Sequence, residues 1–140
     1  MKVFISGSKT VHTLPETVKA LLNCYCRHGC TFLIGDCGGT DRLVQKYLYE
    51  QNYPDVVIYV SGGHIRNRVG KWPVRHIPVP KHIRGFAFYR QKDIAMAQGC
   101  DAAVMLWDGI TRGTYCNMKD IRRLQKPFAL FMAEPGESGQ

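Results

Sequence analysis

Two glycine-containing turns constrain this chain more than any other feature, because each follows an apolar run and leads into a predicted helix. The first, Gly35 to Asp41, reads GDCGGTD, and the second, Trp107 to Thr114, reads WDGITRGT. Where a strand ends in glycine and the chain continues as a helix, unpaired backbone N–H groups collect at the sheet edge and suit an anion, typically a phosphate. Two such turns predict a nucleotide-like ligand in a crevice of a parallel sheet.

Short apolar runs alternate with helical patterns along the sequence. The predicted strands are 2–6, 31–34, 56–60, 102–106 and 128–132, and the predicted helices follow Thr13 or begin near Thr40, Phe86 and Gly113. Thr13 and Glu16 have the spacing of a capping box at the start of the first helix. In the last helix, Met118, Ile121 and Leu124 are expected to face the core. The alternation predicts an α/β, three-layer, Rossmann-like protein, with a mostly parallel sheet of about five strands and helices on both faces.

The length of 140 residues indicates one domain, because ~100–200 residues per domain is usual. We expect a single domain over residues 1–133 and a frayed tail over 134–140. No apolar run approaches the ~20 residues that span a bilayer, and the N-terminus lacks the pattern of a secretory signal. The expectation is a soluble, cytoplasmic protein without membrane contact.

The six cysteines do not form a recognisable metal site. Cys24, Cys26, His28 and Cys30 lie close together in the sequence, but Cys24 and Cys26 face different sides of the predicted first helix. No second cluster completes a tetrahedral ligand set at zinc-site spacing. We therefore predict reduced thiols, no metal and no cofactor.

The positive charge is concentrated in one segment. The chain carries a formal net charge of +8, and Val56 to Lys92 contains eight Lys and Arg residues but no Asp or Glu. This segment is consistent with a phosphorylated ligand, with nucleic acid, or with a solvated surface. Its irregular part, residues 61–84, includes a hydrophobic loop around Trp72 that is a candidate lid over the ligand, since long loops in compact domains are usually functional.

Three aspartates lie in the two turns and have alternative roles. Asp36 and Asp41 can accept ribose hydroxyls, or can cap the following helix. Asp108 lies at the expected crevice. Asp36 and Asp108 are the candidate acid–base residues if the protein is a hydrolase, but Asp108 can also stabilise an Asx-turn at Gly109.

The remaining candidates surround a predicted phosphate. Gly113 and Thr114 supply donors at the start of the last helix, and Lys92 and Arg90 supply positive charge. Tyr89 and Trp107 are candidates for stacking on a base, although aromatic residues beside strands usually belong to the core. The predicted ligand-binding residues are Ser6, Gly7, Ser8, Gly35, Gly38, Gly39, Asp41, Arg90, Lys92, Gly109, Gly113, Thr114 and Asn117.

Together these motifs resemble the SLOG superfamily, the Rossmann-like group that includes the DNA-processing protein DprA and the cytokinin-activating LOG phosphoribohydrolases. The matching parts are a Gly-Ser turn after the first strand, G-x-x-x-G-x-D from Gly35 to Asp41, Lys92 followed by Met96, the run CDAAVMLWDG, and Gly113-Thr114. The stretch from Lys92 to Asn117 is also similar to a branch of small bacterial proteins in that group.

Two departures separate the chain from the LOG enzymes. The catalytic Glu of the motif Pro-Gly-Gly-x-Gly-Thr-x-x-Glu is replaced by Asn117, and an amide cannot accept a proton at neutral pH. The family's arginine is replaced by Lys92, which lacks the bidentate fork for phosphate, and Arg90 is a candidate substitute.

The sequence leaves three functions open. The leading hypothesis is a domain that binds a nucleotide or nucleotide-derived ligand as a sensor or carrier. The second is a nucleotide N-glycosidase that uses Asp36 or Asp108. The third is single-stranded nucleic-acid binding through residues 64–92, as the resemblance to DprA implies, although no clear stacking platform is visible. The resemblance also implies a homodimer.

Overall fold

The computed structural model describes residues 1–133, which form six strands and four helices. The strands are β1 (Lys2–Gly7), β2 (Thr31–Gly35), β3 (Val56–Ser61), β4 (Val74–Ile77), β5 (Ala102–Trp107) and β6 (Phe128–Met132). The helices are α1 (Glu16–Arg27), α2 (Thr40–Glu50), α3 (Gly85–Gly99) and α4 (Arg112–Arg123). All five apolar runs predicted as strands are strands, to within one residue at each end.

The strands form one all-parallel sheet in the order β4-β3-β2-β1-β5-β6. The predicted α/β, Rossmann-like class is confirmed. The sheet has one strand more than expected, because the short edge strand β4 (VRHI) exposes both Arg75 and His76 and therefore has no apolar run to reveal it.

Helices cover both faces of the sheet. One core cluster packs α1 and α2 onto the sheet through side chains such as Leu22 and Leu48, and the other packs α3 and α4 through Met96 and Ile121. Leu124 was expected to face the core but is 37% exposed, because α4 ends at Arg123.

The first helix begins without the predicted capping box. Pro15 takes the N-cap position with extended backbone angles, and no side chain of the described residues caps the helix. The fixed φ of proline suits a helix start, since its missing N–H would have no partner there.

The connection from β3 to β4 replaces the usual crossover helix. Parallel neighbours need a long connection, and here residues 62–73 supply it as an irregular segment, which we call the crossover segment. Its Ile65, Val69 and Trp72 pack against the α1–α2 side of the core. The expectation that Trp72 closes over a ligand is wrong: its side chain is buried in the core, and its indole Nε1 donates to the carbonyl of Tyr53 at 3.0 Å.

Two glycines allow the loop after β1 to pack against the start of α2. A Cβ atom on Gly7 would collide with the side chain of Thr40, and one on Gly39 would collide with the backbone of Lys9. Thr40 stabilises this contact, because its backbone N and its Oγ1 both donate to the carbonyl of Ser8, at 3.2 and 2.9 Å.

Among the described residues, none of the helices has the length and apolar character needed to traverse a lipid bilayer. The predicted tail, residues 134–140, lies outside the described part of the chain.

Replacing Gly39 with alanine tests this close packing. Gly39 has φ +65° as well as the steric conflict with Lys9, so Gly39→Ala is expected to lower the free energy of unfolding by about 1–3 kcal/mol. The measurement is urea unfolding followed by circular dichroism. Gly38→Ala is the matched control, because a Cβ atom at Gly38 meets open space. Equal losses in the two variants would contradict the prediction.

Candidate functional site

A cavity of about 430 Å³ opens at the carboxyl ends of the strands. The strand order reverses there, since β1 is followed in the chain by β2 on one side and paired with β5 on the other. Loops after such strands diverge and leave a crevice. The volume lies within the ~300–1,000 Å³ typical of small-molecule sites.

Nine of the predicted ligand-binding residues line this cavity. From the end of β1, the loop after it and α2 they are Ser6, Gly7, Ser8 and Asp41. From α3 and α4 they are Arg90, Lys92, Gly113, Thr114 and Asn117. Tyr89, predicted to stack on a base, also lines it. The remaining predicted residues, Gly35, Gly38, Gly39, Gly109, Asp36 and Asp108, lie outside the lining.

Asp36 holds an arginine in place. Its buried carboxylate accepts hydrogen bonds from the backbone N of Arg66 (2.9 Å), from Arg66 Nη2 (2.9 Å) and from Arg66 Nε (3.4 Å). Asn67 also donates to the carbonyl of Asp36 at 3.0 Å. The crossover segment is anchored further by Gln45 of α2, which accepts from the backbone N of Val69 at 2.9 Å. Asp36 therefore positions Arg66 in the cavity wall.

Asp108 stabilises the turn before α4. One carboxylate oxygen accepts from the backbone N of Ile110 (2.8 Å) and of Thr111 (2.7 Å), and the other accepts from Thr10 Oγ1 (2.7 Å). Burial works to raise the pKa of Asp108, but these hydrogen bonds outweigh it and hold the pKa well below its ordinary value. Asp108 is thus an ionised turn residue, as the Asx-turn alternative expected.

The two glycine turns differ in what they offer a ligand. At the first, the backbone N of Thr40 already donates to the carbonyl of Ser8. No side chain of residues 1–133 caps the start of either α2 or α4, but at the second turn both Gly113 and Thr114 line the cavity. The first N–H groups of a helix lack partners within the helix. The start of α4 therefore presents backbone N–H groups without helical partners to this cavity.

Asn117 is the centre of a buried polar network. Its Nδ2 donates to Ser6 Oγ (2.9 Å) and to Asp93 Oδ2 (3.2 Å), and its Oδ1 accepts from Arg90 Nη1 (2.7 Å). Arg90 is also paired with Asp120 at 2.7 Å. Arg90 thus positions Asn117, and much of its charge is neutralised by Asp120.

The floor of the cavity holds two carboxylates and one ammonium group. Lys92 Nζ donates to Asp93 Oδ1 at 2.8 Å, and Asp41 lies close by, since a Cβ atom on Gly35 would meet both Asp41 Oδ2 and Lys92. Burial lowers the pKa of Lys92, but Asp93 and Asp41 more than offset this, so Lys92 stays charged. Burial raises the pKa of Asp41 to about 7, although Lys92 opposes the rise.

The mouth of the cavity carries two arginine–aromatic pairs. The guanidinium of Arg66 lies 4.1 Å from the ring centre of Tyr89, and that of Arg112 lies 4.0 Å from the ring centre of Phe86. Both rings stay partly exposed, at 42% for Tyr89 and 37% for Phe86. Trp107 does not join them: it stacks on Tyr115 beside the cavity.

Sequence reasoning missed several residues of this cavity. They are Lys9, Cys37, Arg66, Phe86, Asp93, Thr111 and Arg112. Arg112 lies inside the second glycine turn, so the turn itself was a signal for it. Arg66 lies in the basic segment predicted to attract nucleic acid but was not itself selected. Asp93 had no local signal, because the crossover segment and α3 meet only in the folded chain.

The described residues contain no group of three or more His, Cys, Asp or Glu side chains placed to hold a metal ion. All six cysteines are unpaired. Burial raises the pKa of the Cys37 thiol in the cavity wall, so the thiol is protonated at neutral pH.

Asp41→Asn tests the buried carboxyl group. Because folding raises the pKa of Asp41 from 3.8 to about 7, its contribution favours the folded state below pH 3.8 and is lost as the pH rises to about 7. The free energy of unfolding of the wild type is expected to fall relative to Asp41→Asn across this range and to run parallel above it. Urea unfolding at a series of pH values measures the difference; a constant difference would contradict the prediction.

Comparison with solved structures supports the fold. The chain matches DNA processing protein A from Helicobacter pylori, a structure described for its unique single-stranded DNA binding mode, with a TM-score of 0.68 and 12% sequence identity. The match covers 93% of this chain and 64% of that one. No protein-family model matches the sequence. No curated protein matches it either. At this identity the likeness shows a shared Rossmann-like fold.

Proposed function

We propose that this chain binds single-stranded nucleic acid and seats one nucleotide unit in the cavity. The observation that carries the proposal is the convergence of an uncapped helix N-terminus with two arginine–aromatic pairs at one cavity mouth. The first element suits a phosphate and the second suits a base, and single strands are bound by this combination of charge and stacking.

The phosphate is expected at the start of α4. Gly113 and Thr114 present backbone N–H groups there, and the helix dipole favours a negative charge. Among residues 1–133, neither Lys9 nor Arg112 forms an ion pair with a carboxylate. Both line the cavity, so both are available to a phosphate.

The base is expected at the mouth. Tyr89 and Phe86 are partly exposed, and the guanidinium groups of Arg66 and Arg112 lie over their rings. Bases stack on aromatic rings and on arginine planes. Phe86 and Tyr89 together form the proposed stacking platform, which adds Phe86 to the stacking role predicted for Tyr89.

The surroundings extend the positive surface beyond one nucleotide. The exposed Arg75, Lys81 and Arg84 follow one another from β4 towards Phe86, in a segment without acidic residues. Charge of this kind draws a phosphate backbone along a protein surface. The shared fold with a protein described as binding single-stranded DNA supports the same proposal.

Two variants test the proposal against an oligothymidylate strand by fluorescence anisotropy. Tyr89→Leu should weaken binding by the stacking energy of about 1–3 kcal/mol per base, a rise in Kd of roughly 5- to 150-fold. Arg112→Gln should weaken binding and reduce the slope of log Kd against log salt by about 0.7.

The matched controls are Tyr49→Leu and Arg27→Gln. Both residues are exposed and lie in the last turns of α2 and α1, at the opposite edge of the sheet. These controls should bind like the wild type. If each control loses as much affinity as its partner, or if Kd does not respond to salt, the proposal is wrong.

A free nucleotide is the second candidate, because the enclosed volume of about 430 Å³ and the polar floor around Asn117 suit one small ligand. The two candidates separate by strand length. A single-strand site should bind longer oligothymidylates more tightly than thymidine monophosphate, whereas a free-nucleotide site should bind the monophosphate at least as well. Mass spectrometry of the same mixtures detects free base, whose release would instead support the hydrolytic alternative.

A further inference from the structure

The carboxyl group of Asp41 faces the proposed ligand site from an almost fully buried position. Asp41 is 7% exposed and lines the cavity, and Cys37 N donates to its Oδ2 at 3.2 Å. Burial disfavours the ionised form of a carboxyl group. Asp41 therefore holds its charge poorly even before a ligand arrives.

Three neighbouring segments place titratable or charged groups around this carboxyl. These groups are Asp36 and Cys37 before α2, Lys92 and Asp93 from α3, and Arg66 from the crossover segment. Most of the positive charge is already matched, because Arg66 is paired with Asp36 and Lys92 is hydrogen-bonded to Asp93. An ionised Asp41 thus adds a second carboxylate around one ammonium group and leaves the floor negative.

From this arrangement we infer that Asp41 binds a proton together with the phosphate-bearing strand, so that up to one proton is taken up for each strand bound above neutral pH. This inference rests on the proposed function. Protonation removes the repulsion between the carboxylate and the phosphate. It also creates an O–H donor where an ionised carboxylate has only acceptors.

The raised pKa of Asp41, about 7 in the free protein, agrees with this mechanism. A neighbouring phosphate raises the pKa further, because it adds a like charge. Binding should therefore weaken as the pH rises above about 7, by up to tenfold per pH unit for one linked proton.

The experiment measures the Kd of an oligothymidylate from about pH 5.5 to about pH 8.5, the range that brackets the linked pKa. This probe is chosen because its phosphodiesters and thymines do not titrate in that range. Wild-type affinity should fall above neutral pH, and Asp41→Asn should bind with nearly constant affinity, close to that of the wild type at low pH. Asparagine keeps an oxygen that can accept from Cys37 N.

Histidines near the basic surface provide the main competing explanation. His64, His76 and His82 are exposed in or beside the basic segment. Histidine is the side chain that most often changes charge between pH 5 and pH 8, and added positive charge also strengthens binding at low pH. These histidines are unchanged in Asp41→Asn. If that variant keeps the full pH dependence, the histidines cause it and the inference is overturned.

A second measurement does not depend on the variant folding. Carbon-13 NMR of labelled aspartate reports the titration of Asp41 in the wild type, free and with the strand bound. The bound strand should move the titration to higher pH, and titration below about pH 5, close to that of an ordinary carboxyl group, would overturn the inference. A flat affinity profile with tight binding overturns the inference alone, whereas no binding at any pH overturns the proposed function and this inference with it.

Discussion

The reversal of strand order beside β1 is the constraint on which the rest of the molecule depends. Chain segments after β1 and β5 leave the sheet in different directions, so the edge between them cannot be filled by one continuous layer of side chains. Ser8 bridges this gap through Asp108 N at 3.0 Å and Thr111 Oγ1 at 2.5 Å. These two hydrogen bonds of Ser8 hold the start of α4 at the edge of the crevice, so that the helix does not cover the crevice.

Several charged side chains in and beside the crevice are paired with one another, and each pair fixes the position of a side chain. Asp36 fixes Arg66, Asp120 fixes Arg90, and Arg90 in turn orients Asn117. Such pairs gain little net stability from burial, but removing one partner leaves an unpaired charge. They therefore specify geometry, whereas Lys9 and Arg112 line the cavity without a carboxylate partner among residues 1–133.

Local pattern was enough to predict most of the fold. Buried strands of a parallel sheet are covered on both faces, so β1, β2, β3 and β5 are nearly continuous apolar runs. Such a run does not mark β4, which lies at the edge and exposes its polar residues. The packing of the crossover segment could not be predicted either. Trp72 is buried by residues that are distant in the sequence, and no periodic pattern around it indicates this burial.

For the site, the sequence by itself determined that a glycine turn after β5 leads into a helix at the sheet edge. Where a helix begins depends mainly on residues that are close together in the sequence, so this feature is visible without the fold. Only the tertiary structure decided which carboxylates face the crevice. Asp36 and Asp108 are adjacent to the turns but are held by Arg66 and by the backbone before α4, whereas Asp41 and Asp93 meet across Lys92. Those placements follow from how helices from distant parts of the chain pack on one sheet, and no local pattern encodes them.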